Sequence, residues 1–450
     1  MMKITVIGCG YVGLVTAACL ADFGHTVTGV DHDSSKIALL KQGTSPIYEK
    51  GLTALIRVNT QRNRLFFQTS LDHGVEDAEV IFIAVGTPSL DNGAADTTQV
   101  MAVAAELAKY IKDYKVIVNK STAPIGAAKQ LRKVIRDHLE TDVEFDVVSN
   151  PEFLREGHAV KDFQEPDRVV IGADSPQAQK VMSRVYAALI KKGVPYIQTN
   201  LESAETIKYA SNAFLATKIT FINEIAKLCE AVGADIRTVA RSMGLDHRIG
   251  PQFLNAGPGY GGSCFPKDTK ALAYIGRASG VPLTIVETVI TANEEQKARM
   301  VRKIKGMVGA ALEGRTLGIL GLAFKPDTDD LRESPALTII DNLLAAGAII
   351  RVYDPQAMEE AKKIFKKTLI YCADPYAAAE GAEALVIITD WEAFKFLDFM
   401  RLKKAMASPV LIDLRNLYTP AEVEQYGFKY ENVGRAGHGD RDLSDLRYPG

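Results

Sequence analysis

The sequence predicts an α/β protein in which two doubly wound domains are joined by an all-α central domain built on a long helix. Three observations carry that prediction. "KITVIG" (residues 3–8) is a short apolar run ending in glycine, followed by a helical pattern and a second apolar run. From residue 201 to about 305 strand patterns cease and apolar residues recur at helical spacing. From residue 306 an order of strand, helix and strand returns. Such units build parallel sheets.

The first domain is assigned to residues 1–200. After "KITVIG", the stretch "CGYVGLVTAACLADFG" has helical spacing with Gly24 as its stop, and "HTVTGVD" is the second strand. Further strands are expected at "VIFIAVG" (80–86), "KVIVNKS" (115–121), "FDVVSN" (145–150) and "RVVIGA" (168–173). The central domain, 201–305, opens with "ESAETIKYASNAFLATKITFINEIAKLCEAVG", one long helix or two abutting ones. The third domain, 306–450, starts with the strand and loop "RTLGILGLAFKP". A helix "SPALTIIDNLLAAG" follows, with Pro335 in its first turn and Gly347 at its end. "AIIRVYDP", "EALVIITDW" and "PVLIDLRN" supply three more strands. The tail "GRAGHGDRDLSDLRYPG" is polar and glycine-rich, and is expected to be mobile.

Bulk composition narrows the function. The chain has 450 residues, 47 % apolar and 24 % charged, with a formal net charge of −2. That balance offers nucleic acid or an anionic membrane no basic surface. No apolar run approaches the roughly 20 residues of a membrane helix, and the start reads as a buried strand rather than a leader. The five cysteines (Cys9, Cys19, Cys229, Cys264 and Cys372) are scattered and form no C-x-x-C pair. This points away from disulfides and structural metal, and towards a reducing cytoplasm.

Gly8-Cys9-Gly10-Tyr11-Val12-Gly13 fits G-x-G-x-x-G between a strand and a helix, and Asp31 closes the next strand. In this setting the pattern is the Rossmann dinucleotide fingerprint. Gly8 permits the turn, Gly10 lets a pyrophosphate approach, and Gly13 lets the helix pack. Asp31 would accept from a ribose diol and repel a 2′-phosphate, which favours NAD, although Lys36 lies nearby. The third domain has Gly318 and Gly321 but no such fingerprint, and Lys325 puts a cation at the top of its first strand. It reads as a nucleotide site of another kind.

The stretch "AGPGYGGSCFPKDTKAL" (256–272) sets Cys264 after four glycines and before a helix that Pro266 opens. A thiol at a helix N-terminus has a raised thiolate fraction. Lys267 adds positive potential and Asp268 opposes it. The glycines are read as clearing space for a substrate carbon. Lys208 and Asn212 share a face of the long helix. Glu152, Glu156 and Arg168 follow strand ends, where ligands of open sheets sit. The two carboxylates read as general bases or as helix-cap charges, and the same alternatives hold for Thr122 in "NKSTAPIG".

The motifs "VIGCGYVGL", "VGTPS", "KSTAPIG", "SNPEFLREG", "DRVVIG", "GGSCFPKD", "FKPDTDDLRESPA" and "VYDP" together resemble the nucleotide-sugar 6-dehydrogenases, the UDP-glucose/GDP-mannose dehydrogenase family, over essentially the full length. The resemblance implies three parts: an NAD-binding Rossmann-like domain, a helical dimerisation domain carrying the cysteine loop, and a Rossmann-like UDP-sugar domain. It implies UDP-glucose as substrate, two NAD per turnover, and a homodimer through the central helix. Cys264 would hold the half-oxidised sugar as a thiohemiacetal and then a thioester. Lys208 and Asn212 would steady the oxyanion, and Asp268 and Thr122 would orient Lys208 and water. Glu152 would be the general base. Thr87, Pro88, Glu156, Lys267 and Arg332 would join the fingerprint residues at the cofactor. Phe153, Leu154, Arg155, Arg248, Phe253, Tyr260, Gly261, Phe324, Lys325 and Arg415 would contact substrate, Arg248 from the neighbouring subunit. Arg155 and His158 depart from the smaller side chains that relatives often carry. Other substrates within the class are GDP-mannose and a UDP-N-acetylhexosamine. A non-catalytic NAD-binding scaffold is the reading outside it.

Overall fold

A computed structural model describes residues 1–435. The tail beyond, including most of the stretch expected to be mobile, lies outside the described residues. The chain divides into two compact units, Met1–Ser211 with Lys270–Pro282, and Asn212–Thr269 with Leu283 onward.

The first unit holds strands β1 (Lys3–Ile7), β2 (Thr26–Val30), β3 (Leu65–Gln68), β4 (Val80–Ile83), β5 (Lys115–Asn119), β6 (Phe145–Ser149), β7 (Val169–Gly172) and β8 (Tyr196–Thr199). They form one sheet in the order β3-β2-β1-β4-β5-β6-β7-β8. All four residues of β4 and all five of β5 are buried. Strands covered on both faces read as unbroken apolar runs, which is why these two are visible in the sequence. The sheet is parallel except at one seam, where β6 meets β7 antiparallel through Ser149 and Gly172. A wholly parallel sheet is therefore corrected at that seam.

The second unit holds β9 (Thr316–Leu320), β10 (Ile349–Tyr353), β11 (Ile370–Tyr371), β12 (Ala384–Ile387), β13 (Val410–Asp413) and β14 (Lys429–Asn432), ordered β11-β10-β9-β12-β13-β14. Every pair is parallel. The first six strands of the earlier sheet have the same order, so the echo between the domains extends to topology. Strands β3, β8, β11 and β14 are absent from the sequence reading. They are the short edge strands of the two sheets, with at most two buried positions each, and so lack the continuous apolar signal.

The long helix is a single element, Leu201–Val232. It stops at Gly233, whose φ is +74°. A separate helix, Ile236–Gly244, follows under an Asp235 cap that accepts from Arg237 N. The thiol sits just before the helix Phe265–Ala278, and the helix Thr284–Val308 runs up to the second sheet.

Candidate functional site

The fingerprint turn is closed at two glycines and open at the third. Gly8 has φ +95°, and a Cβ there would lie 2.8 Å from Ala84 O. A Cβ on Gly13 would lie 1.8 Å from Gly8 O, so only glycine lets this helix pack. A Cβ on Gly10 would meet nothing within 4 Å, and no side chain caps the helix Tyr11–Asp22 that Gly10 starts. The turn thus leaves open backbone and unused N–H donors where a pyrophosphate needs them.

Asp31 is buried and accepts from Cys9 N (2.8 Å) and Lys36 Nζ (2.9 Å) on one oxygen and from Asp33 N (3.0 Å) on the other. Burial pushes this carboxyl up, but Lys36 and the amides of Asp33 and Cys9 outweigh it and hold the group below its usual value. One acceptor position remains on Oδ1, so a ribose hydroxyl fits. Lys36 is bound to Asp31 rather than standing apart from it. The hydroxyl of Tyr11 is tied to Glu49 and receives Gly157 N at 2.7 Å, which braces the start of the helix. Thr87 Oγ1 donates to Thr122 O at 2.7 Å, while Pro88 is exposed.

The first unit also buries an acid–base pair. Lys208 Nζ donates to Glu152 Oε1 at 2.8 Å, and Leu154 N donates to Glu152 Oε2 at 2.6 Å. Burial alone would raise the Glu152 carboxyl. Lys208, the Leu154 amide and Lys120 overcome it and hold it below its ordinary value. Phe153 lies between two cations, with the Arg168 guanidinium 3.7 Å and Lys208 Nζ 5.5 Å from its ring centroid. Thr122, Ser149, Glu205 and Lys208 line a small recess that Asn119, Ala123 and Pro151 also border. Asn119 Oδ1 is buried without a hydrogen-bond partner among the described residues, which suits a bound water. Arg155, in contrast, is exposed and clamped on Asp162 at 2.6–2.9 Å. His158 is exposed at the start of the next helix, and Glu156 is half-buried in the same turn.

In the second unit, Cys264 is half-buried while the other four cysteines are buried. Burial pushes the thiol of Cys9 up to about 12 and raises those of Cys19, Cys229 and Cys372. These four are packing residues. Cys264 O accepts from Asp268 N at 2.8 Å, so Cys264 caps the helix it precedes. Asp268 is held on one oxygen by Asn212 Nδ2 and on the other by Lys267 Nζ, both at 2.6 Å.

Three buried amides fix the glycine loop. Gly257 N donates to Asn223 Oδ1 (2.8 Å), Gln296 Nε2 donates to Gly257 O (2.8 Å), and Asn293 bonds both N and O of Tyr260 (2.8 and 3.1 Å). The space that its glycines leave is filled by protein. A Cβ on Gly261 would lie 2.3 Å from Glu333 O, and one on Gly262 (φ +84°) would lie 2.7 Å from the Phe324 ring. The expected clearance for a substrate carbon is corrected accordingly: the glycines let the thiol loop dock on the loop after β9. Phe265 packs against Phe253 (6.0 Å) and edge-on to Tyr260 (6.2 Å between centroids).

That neighbouring loop is held by Arg415, which donates to Ile388 O (2.6 Å) and Phe324 O (3.0 Å). Lys325 Nζ lies 5.5 Å from the Phe324 ring centroid. Arg248 and Arg332 are exposed and folded onto Asp246 and Asp330. Asp354, at the position matching Asp31, is buried and accepts from Leu322 N, Ala323 N and Trp391 Nε1 on one oxygen and from Gln356 N and Ala357 N on the other. It leaves no acceptor for a ribose, in keeping with the missing second fingerprint.

Sequence reasoning missed Lys120, Asn150, Asn223, Asn293 and Gln296. Lys120 lies inside the quoted "NKSTAPIG" at a strand end, which was the available signal. The buried amides lie on helix faces whose pattern gives no sign of a loop beneath them. Among the described residues no group of His, Cys, Asp and Glu suits a metal, and no helix is long and apolar enough to cross a membrane.

Comparison with known proteins bears on the whole chain. Residues 2–190, 202–295 and 318–420 match the models of the NAD-binding, central and UDP-binding domains of the UDP-glucose/GDP-mannose dehydrogenase family. The chain is 50 % identical to a UDP-glucose 6-dehydrogenase of Rhizobium meliloti, over 96 % of this chain and 100 % of that one. It is 46 % identical to the UDP-glucose 6-dehydrogenase TuaD of Bacillus subtilis, over 100 % and 97 %. Its fold is similar to that of a UDP-glucose dehydrogenase from Pyrobaculum islandicum, with a TM-score of 0.90 at 38 % identity, covering 97 % of this chain and 98 % of that one.

Proposed function

The chain belongs to the UDP-glucose/GDP-mannose dehydrogenase family, and from that membership we propose that it catalyses the NAD-dependent, four-electron oxidation of UDP-glucose at C6 to UDP-glucuronate. The observation that carries this reading is the one half-buried thiol, set at a helix start beside an Asp268 carboxylate that Asn212 and Lys267 hold in place.

NAD supplies the hydride acceptor, once for each oxidation. Lys208, an ammonium fixed by Glu152, steadies the alkoxide that forms at C6, with Asn212 as a second donor. The Cys264 sulfur adds to the aldehyde carbon, and the resulting oxygen takes a proton. Loss of that hydroxyl proton and of the second hydride leaves a thioester. Water then attacks that carbonyl with Glu152 taking its proton, the C–S bond breaks, and the thiolate returns. One UDP-glucose, one water and two NAD⁺ yield UDP-glucuronate, two NADH and three protons. Thr122 and the recess it lines suit the water. Phe324, Lys325 and Arg415 hold the UDP part.

Three blocks, 1–200, 201–305 and 306–450, carry the cofactor, dimer and UDP-sugar roles. The dimer uses the exposed stripe Phe214, Phe221 and Leu228, spaced by seven along the long helix. The working compartment is the cytoplasm, where Cys264 stays reduced. The deciding measurement is the yield of NADH per UDP-glucose consumed. Two supports the reading, whereas one, or none with any nucleotide sugar, overturns it.

A further inference from the structure

Behind the Glu152–Lys208 pair stands a second buried lysine that no step above uses. Lys120 follows β5, with its backbone N–H fixed on Ile83 O at 2.9 Å. Only 5 % of the residue is exposed. Its Nζ donates to Asn150 Oδ1 at 3.2 Å and sits 5.9 Å from the centroid of the Phe163 ring. The same Asn150 oxygen receives the hydroxyl of Tyr186 at 2.5 Å, and Asn150 Nδ2 is anchored on Val170 O at 2.9 Å. Lys120 is therefore buried on neutral partners, with no carboxylate in contact among the described residues.

Such a placement costs stability, because an ammonium is taken out of water without a touching counter-ion. The charged and titratable groups that face it are Glu152, Lys208 and Tyr186. Burial lowers the Lys120 amine to about 8, with Glu152 opposing the fall and Lys208 adding to it. Its field in turn reaches Glu152 and helps to keep that carboxyl ionised. Burial also raises the Tyr186 phenol, which stays neutral and serves as a donor only.

We propose that Lys120 is a positioning residue that acts through charge: from its seat on Asn150 it holds Glu152 ionised, and so sets the lower end of the pH range over which the pair is ready for oxidation and hydrolysis at C6. This inference rests on the catalytic reading of that pair. Its signature follows from sign alone. Removing a cation makes Glu152 easier to protonate. The acid limb of a bell-shaped kcat profile, which Glu152 sets, then moves to higher pH. A merely structural role lowers the height of the bell and leaves its limbs in place.

The test uses full-length wild type, Lys120→Met, Lys120→Gln and Tyr186→Phe, with NADH formation followed from pH 3.5 to 9 at saturating NAD and UDP-glucose. The acid limb in the two Lys120 variants should rise by about half to one pH unit, and Lys120→Met should melt at or above the wild-type temperature. Tyr186→Phe perturbs the same Asn150 without changing charge, and should leave the limbs unmoved. Coincident limbs in the Lys120 variants, or an equal shift in Tyr186→Phe, would overturn the proposal. A carbon-13 titration of the Glu152 carboxyl without substrate reads the same effect and should move up in Lys120→Met or Lys120→Gln. That titration separates the two readings. A wild type inactive on UDP-glucose removes the substrate assignment, whereas an unmoved Glu152 removes the role of Lys120.

Discussion

Lys208 Nζ and Glu152 Oε1 are 2.8 Å apart with both side chains almost wholly buried. Breaking a buried pair by removing one charge leaves the other uncompensated. Glu152→Gln should therefore lower kcat by about 10²–10⁴-fold with a smaller change in KM for UDP-glucose, read by steady-state kinetics. An unchanged kcat takes Glu152 out of the chemistry.

The same pair predicts an acid dependence of stability. The Glu152 carboxyl is held below its ordinary value of 4.5. A depressed carboxyl contributes stability that is present above the ordinary value and lost as pH falls through the folded one. The gap in melting temperature between wild type and Glu152→Gln should be constant from pH 6 to 8 and shrink below about 4.5. A gap that widens on acidification would contradict this assignment.

Cys264→Ser should release the first NADH slowly and then stall, since a hydroxyl adds to the aldehyde weakly and an oxygen ester hydrolyses less readily than a thioester. Stopped-flow absorbance should show less than the full yield of NADH per UDP-glucose. Sustained turnover with the full yield would exclude the covalent role.

Two glycine-to-alanine changes should separate fold from cofactor. Gly262→Ala forces φ +84° on alanine and drives a Cβ to within 2.7 Å of Phe324. A loss of about 1–3 kcal/mol in denaturant unfolding is expected. Gly10 has φ −75° and open space around it. Gly10→Ala should leave stability within about 0.5 kcal/mol and raise KM for NAD at least about tenfold, because the methyl group occupies the phosphate approach.

Phe221→Asp places a charge in the exposed stripe Phe214, Phe221 and Leu228. Sedimentation should show a dimer in wild type and a monomer in the variant, with an unchanged melting temperature for the first sheet's unit. A wild-type monomer would remove the proposed dimer face.

Local pattern by itself determined the buried strands, the long helix and the fingerprint turn. Each is written within a window of a few residues: the runs at β4 and β5, the spacing after Leu201, and the glycines from Gly8 to Gly13. It also singled out Cys264, Lys208 and Glu152 by residue type at strand and helix ends. Only the tertiary structure decided how they are partnered. Glu152 meets Lys208 across 56 positions, and Asn150 meets Lys120 across 30. The antiparallel seam at Ser149 and Gly172, and the use of Gly262 to admit Phe324, were equally hidden. Side-chain contacts between distant segments depend on how whole elements pack, and neither hydrophobic period nor turn chemistry encodes which polar groups that packing brings face to face.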